Sequence, residues 1–170
     1  MKKIITIIVY IVLAIVLFGS TIFFFGNNPA KIEELFNTTI KSLENPDELE
    51  SLFTEQALNE SEEGNINQGI EEIKEFYQGK FVKAEDLVVF HETGNIFRAY
   101  ATVITDKGEY FVCIGATGAR RIDPVGIKQL IIEDNHNFKK KDIFKKKELK
   151  KYEGKADACG ITIRRPNDNR

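Results

Sequence analysis

The hydrophobic pattern divides the chain into four stretches. From Ile4 to Phe25 there are 22 residues without a charge. From Pro29 to about Gln78 the apolar residues recur at helical spacing. From Phe81 to about Glu133 they run at strand spacing, and beyond that a lysine-rich stretch leads to a short apolar ending.

In the second stretch, Asn28-Pro29 is a helix-start signal, with Asn as N-cap and Pro at the first helical position. Ile32, Leu35, Phe36, Ile40 and Leu43 then form one apolar stripe. Asn45-Pro46 repeats the signal and predicts a second helix carrying Leu49, Leu52, Phe53 and Leu58, with Asp47 and Glu48 in its first turn to complement the helix dipole. Asn59 to Asn65 reads as a loop. A third helix is predicted from about Asn67 to Gln78, with Ile70, Ile73, Phe76 and Tyr77 inward and Gly79 as C-cap.

The third stretch predicts strands. Phe81 to Phe90 holds the first, centred on Leu87 to Phe90, and His91-Glu92-Thr93-Gly94 is a turn. Asn95 to Thr105 is the second. Thr105 to Glu109 is a hairpin with Gly108 where positive φ is favoured. Glu109 to Gly115 is the third, nearly continuous in apolar residues and so buried on both faces. Val125 to Glu133 is the fourth, with Gly126 as a bulge or bend. Helices followed by a curved antiparallel sheet define an α+β class, and a bent sheet over helices encloses a cavity of the kind that holds ligands. The polar strand residues Arg98, Thr102 and Gln129, with His91 and Asp123 in adjoining loops, are the candidate cavity residues. Arg98, if it points inward, is the candidate holder of an anionic ligand.

The 22-residue apolar run is long enough to cross a bilayer. A helix of that length spans about 33 Å, against a hydrocarbon core of about 30 Å. Lys2 and Lys3 precede it, which places residues 1–3 in the cytoplasm, 4–25 in the membrane, 26–30 as linker and 31–166 as an extracytoplasmic domain. A cleaved and secreted chain is the competing reading. Gly19-Ser20-Thr21 offers a cut site, but Ile22, Phe23, Phe24 and Phe25 continue the apolar run past it.

Charge sharpens the division. Residues 29–86 hold 15 acidic and 5 basic side chains, and residues 87–170 hold 11 acidic and 17 basic. A total of −2 with opposed halves argues against a nucleic-acid binder. The acidic pairs Glu62-Glu63 and Glu71-Glu72 read as solvated helix faces, no calcium-hand loop is present, and neither His91 nor His136 has a second ligand at metal spacing. No metal or cofactor is therefore expected. Cys113 reads as a buried structural thiol, with a disulfide to Cys159 as the alternative. Gly115 to Arg121 lacks the ending of a phosphate loop. Eight of the thirteen residues from Lys139 to Lys151 are lysine, and Lys139, Lys140, Lys141, Lys145, Lys146 and Lys147 form a candidate basic surface. That surface is either solvated or apposed to anionic lipid headgroups or wall polymer.

Five short segments resemble a known family. They are Asp47 to Leu58, Gln68 to Lys80, Gly108-Glu109-Tyr110, Asp123 to Ile127, and the closing Cys159-Gly160-Ile161-Thr162-Ile163-Arg164-Arg165-Pro166. Together they resemble an uncharacterised bacterial family of membrane-attached proteins, domain of unknown function 5104. The resemblance implies the cone of bent sheet over helices found in nuclear transport factor 2. It brings no catalytic residues, and this chain departs from the family's usual lipobox cysteine. The expectation is a membrane-tethered, non-enzymatic binding or interaction module, with a small molecule in the cone or an envelope protein as partner. The alternatives are a cavity enzyme of the isomerase or dehydratase type using Asp86, His91 or Asp123, and a toxin-neutralising or secretion-accessory partner presenting its acidic half.

Overall fold

The computed structural model describes residues 8–17, 29–61, 65–93, 95–118, 124–134 and 159–165. Residues 8–17 form helix α1, whose side chains are all exposed. Among the described residues no helix is long and apolar enough to cross a membrane, and the rest of the Ile4–Phe25 run lies outside them.

Helix α2 spans Pro29–Ser42 and buries Ile32, Phe36 and Ile40, the predicted stripe. The predicted second helix is in fact two pieces, a 3₁₀ helix over Pro46–Leu52 and helix α3 over Glu55–Glu60. The break has a tertiary cause. Phe53 is extended and bridges to Ile127 of the sheet, and the Thr54 N–H donates to the Ile127 carbonyl at 2.9 Å. Thr54 then caps α3, its hydroxyl accepting the Ala57 N–H at 3.1 Å. Asn45 makes no side-chain cap; its amide donates to Glu48 Oε1 at 2.7 Å. Helix α4 spans Asn65–Phe76, and Gly79 beyond it has φ +90°, the left-handed conformation expected after a helix end.

Five strands follow: β1 Phe81–Thr93, β2 Ile96–Thr105, β3 Glu109–Thr117, β4 Gly126–Asp134 and β5 Gly160–Arg164. They lie in one sheet in sequence order. The first four are antiparallel as predicted, but β5 pairs with β4 in parallel, so the sheet is mixed rather than antiparallel. The expected turn at His91–Gly94 is shorter than predicted, because β1 continues to Thr93, paired with Ile96. Gly108 does not take positive φ. Thr105 organises that hairpin instead: its Oγ1 accepts the Gly108 N–H at 3.0 Å and donates to the Gln78 carbonyl at 2.8 Å. The irregularity predicted at Gly126 falls at Lys128, where the β3–β4 register shifts. Gly126 serves a close approach, since a Cβ there would lie 2.6 Å from Thr54 Cγ2.

The two sheet faces differ. Phe97, Ala99, Ala101 and Val103 of β2, with Val112, Ile114 and Ala116 of β3, meet the helices in one apolar cluster with Ile32, Phe36 and Ile73. The small alanines let α2 lie close to the sheet. The opposite face carries a second cluster of Tyr100, Phe111, Cys113 and Ile131, flanked by Val88 and Phe90, to which no described helix contributes.

Strand β5 is held by α4. A Cβ at Gly69 would lie 2.5 Å from Ile161 Cβ and 2.8 Å from its Cγ2. Gly69→Ala should gain about 1 kcal/mol of helix propensity yet lose about 1–3 kcal/mol by overpacking. The expected result in urea denaturation is a net loss. A gain would show that β5 does not seat on α4.

Candidate functional site

Strand alternation sends Arg98, Tyr100 and Thr102 to the face away from the helices. Arg98 on β2, Gly115 on β3 and Gln129 on β4 stand in one cross-strand row. Gly115 has no side chain, so the guanidinium passes over it; a Cβ there would touch Arg98 Nη1 at 3.7 Å. Arg98 Nη1 donates to Gln129 Oε1 at 3.1 Å, and Nε donates to Glu92 Oε2 at 2.8 Å. Arg98 is 2% exposed, and the side chain of Glu92 7%. The charge that could have held an anion is thus buried and countered by Glu92. A buried pair of this kind contributes little net stability compared with apolar residues, but losing one partner strands the other. Glu92 Oε1 and Thr102 Oγ1 on this side have no hydrogen-bond partner among the described residues.

Cys113 sits beside this row. Burial pushes its thiol up to about 11, with the Arg98 charge opposing. Cys159 is half-buried on the other side of the sheet, against the helix-facing core, with its thiol 3.5 Å from Glu60 Oε2. Neither cysteine is in a disulfide and Cys113 is buried, so the buried-thiol reading of Cys113 holds and the disulfide does not. In the native chain at pH 8, iodoacetamide is expected to label Cys159 and to reach Cys113 only after unfolding, as read by peptide mass spectrometry. Because the folded thiol keeps its proton longer than an unfolded one, Cys113 stabilises the fold fully below about pH 9 and loses that contribution as pH rises towards 11.

A second constellation lies where the ends of four elements converge. Leu43 and Glu44 follow α2, Pro46 opens the 3₁₀ helix, Lys74 belongs to the last turn of α4, and Tyr77, Gly79 and Lys80 lead into β1. Together they line an open cleft of about 410 Å³. Glu44 Oε1 accepts the Phe81 N–H at 2.6 Å. The Lys74 ammonium lies between Asp47, at 2.7 Å, and Glu71, at 2.8 Å, and both contacts hold its proton more tightly than usual. Tyr77 stacks on Tyr110 with centroids 4.7 Å apart and is 6% exposed. Its hydroxyl has no hydrogen-bond partner among the described residues. Burial, and then the nearby Glu44 charge, push its proton affinity well above that of an ordinary phenol. An unmet buried hydroxyl costs about 1–3 kcal/mol, and at this depth it lies out of reach of a molecule resting in the cleft.

The other predicted residues do not converge. Asp86 is exposed on β1, in a register shift, with φ +56°. His91 is exposed, its ring 4.9 Å from Phe97. Asp123 and the lysines from Lys139 to Lys147 lie outside the described residues. Among the described residues no group of three His, Cys, Asp or Glu side chains is placed to hold a metal ion. Sequence reasoning missed Glu92, which it put in a turn, and Glu44, which it did not single out. The neighbouring Asn45-Pro46 and Gly79 signals did mark the chain reversals that form the cleft.

Comparison with known proteins agrees with the chain's segments. The family model described as Domain of unknown function (DUF5104) matches residues 38–142, which span the cleft and the first four strands. No curated protein and no solved structure matches the chain.

Proposed function

Since the chain belongs to that family of unknown function, membership prescribes no activity, and we propose that it is a membrane-tethered, extracytoplasmic binding module rather than an enzyme. The observation that carries the binding reading is the cleft itself, about 410 Å³, with the charged residues Glu44, Lys74 and Lys80 in its lining. The elements around it are held from several sides, with Asp47 tied to Lys74 and the Gln78 N–H donating to the Tyr110 hydroxyl at 2.9 Å. Such pre-organisation lowers the ordering cost of binding.

Two features support the tether. Ile8, Val12 and Val16 are among the α1 side chains left exposed, and a helix that exposes apolar side chains favours hydrocarbon over water. The charge-free run extends in sequence from Ile4 to Phe25, with Lys2 and Lys3 before it, which favours a cytoplasmic N-terminus and a domain outside. A cone like that of nuclear transport factor 2 is the finer architectural proposal, supported by α2 packed across β1, β2 and β3. The enzyme reading has less support: Asp86 and His91 are exposed, and neither lines the cleft.

The test is a thermal-shift screen of the intact chain in detergent against a library of small polar metabolites. Hits should stabilise the wild type, and Lys80→Gln should weaken them about tenfold, the loss of roughly 1.4 kcal/mol expected for one hydrogen bond. Hits that Lys80→Gln leaves untouched would move the site elsewhere.

A further inference from the structure

We infer that the sheet face turned away from the helices is the docking surface for the chain's own lysine-rich connection, residues 135–158, which covers it through its apolar side chains.

An open sheet face leaves the tips of its large side chains in water. This face does not. Tyr100, Phe111, Cys113 and Ile131 are only 2–3% exposed, and the polar Thr102, Gln129 and Glu133 are buried with them. None of the described helices supplies that cover. Helix α2, the 3₁₀ helix, α3 and α4 bury their apolar residues in the cluster on the opposite face, through Ile32, Leu49, Ala57 and Ile70 among others. The side chains of α1 are exposed.

The pairing of the last two strands says what does cover it. Strand β4 ends at Asp134 and β5 opens at Gly160, yet the two run parallel, with Gly160 beside Gln129. The chain between them must return about 17 Å along β4, and it crosses one face of the sheet to do so. The helix face beside β5 is already filled, because α4 packs there so closely that a Cβ on Gly69 would lie 2.5 Å from Ile161 Cβ. The second face begins on β4 itself, with Ile131. Residues 135–158 hold far more chain than the return needs, and they include Phe138, Ile143, Phe144, Leu149 and Tyr152 to meet the apolar band. Residues 18–28 lead into α2 on the other face, and each remaining stretch outside the described residues is far shorter. The lysines between Lys139 and Lys151 then lie on the outer side of the cover, because an ammonium keeps its head in water.

Met1 is the sole methionine, so Ile131→Met in a chain grown on photo-methionine sets a diazirine on this face at nearly constant side-chain volume. The full chain in lipid nanodiscs, mixed from ¹⁴N- and ¹⁵N-grown batches, is irradiated, and its cross-linked peptides are read by mass spectrometry. Cross-links from position 131 into residues 135–158 of the same copy are expected. Cross-links to a different copy, to lipid, or to strand neighbours alone would overturn the proposal. A second measurement reads the cover from the sheet side. Phe144→Ser with Leu149→Ser should speed iodoacetamide labelling of Cys113 in the native chain at least tenfold and leave Cys159 within twofold. Lys145→Ser with Lys146→Ser should change neither rate. A Cys113 rate equal to wild type in the first pair would contradict docking through those side chains.

Discussion

Replacing Arg98 by methionine is expected to cost the domain about 3–5 kcal/mol. The reason is what remains behind. Glu92 is buried, its Oε1 already has no hydrogen-bond partner, and Arg98 supplies the contact to Oε2 at 2.8 Å. Gln129 would also lose the donor to its Oε1. The double variant Glu92→Leu with Arg98→Met should recover most of the loss, because an apolar replacement of a buried pair is often neutral. Urea denaturation of the two single variants and the double variant gives the coupling, expected at about 2–4 kcal/mol. A cost below about 1 kcal/mol for Arg98→Met would mean that the pair is solvated in the working protein.

Placing Val12→Arg and Leu13→Arg together in α1 is expected to release the chain from the membrane. Each charge at a bilayer centre costs about 2.5–3.5 kcal/mol, so the two together remove roughly 5–7 kcal/mol of insertion free energy. The wild type should remain in the membrane pellet through a carbonate wash, and the variant should move to the soluble fraction. The domain's own stability should not change, because the α1 side chains are exposed rather than packed on the core. A wild type already in the supernatant would remove the tether from the account.

Much of the architecture could be read locally. The α2 stripe of Ile32, Phe36 and Ile40 declares its element because its burial follows the helical period, and the strand from Ile96 to Thr105, buried almost continuously, shows as a compact run rich in apolar and β-branched residues. What could not be read depends on partners far along the chain. Phe53 leaves the helix because it pairs with Ile127, 74 residues later, which no local propensity registers. The ending Gly160–Arg164 becomes a strand through parallel pairing with β4 and through the space that Gly69 leaves on α4.

The polar site shows the same limit. Arg98, Thr102 and Gln129 stood out as polar residues on apolar strands, and the row of Arg98 and Gln129 on one face follows from alternation. Period alone does not say which face meets the helices, nor that Glu92 would be buried against Arg98. The cleft was harder still. Glu44, Tyr77 and Lys80 sit at element ends, where periodicity stops and chain reversals decide what meets what. Pro46 and Gly79 marked those reversals, but the convergence belongs to the fold.

The central claim is that this domain holds a molecule without changing it. The direct measurement is mass spectrometry of each screening hit after prolonged incubation with the intact chain, at substrate excess and with Lys80→Gln alongside. The account predicts that the ligand is recovered at its original mass and amount, in saturable one-to-one complex with the wild type. A product that accumulates beyond one equivalent of protein would contradict it and make the domain an enzyme.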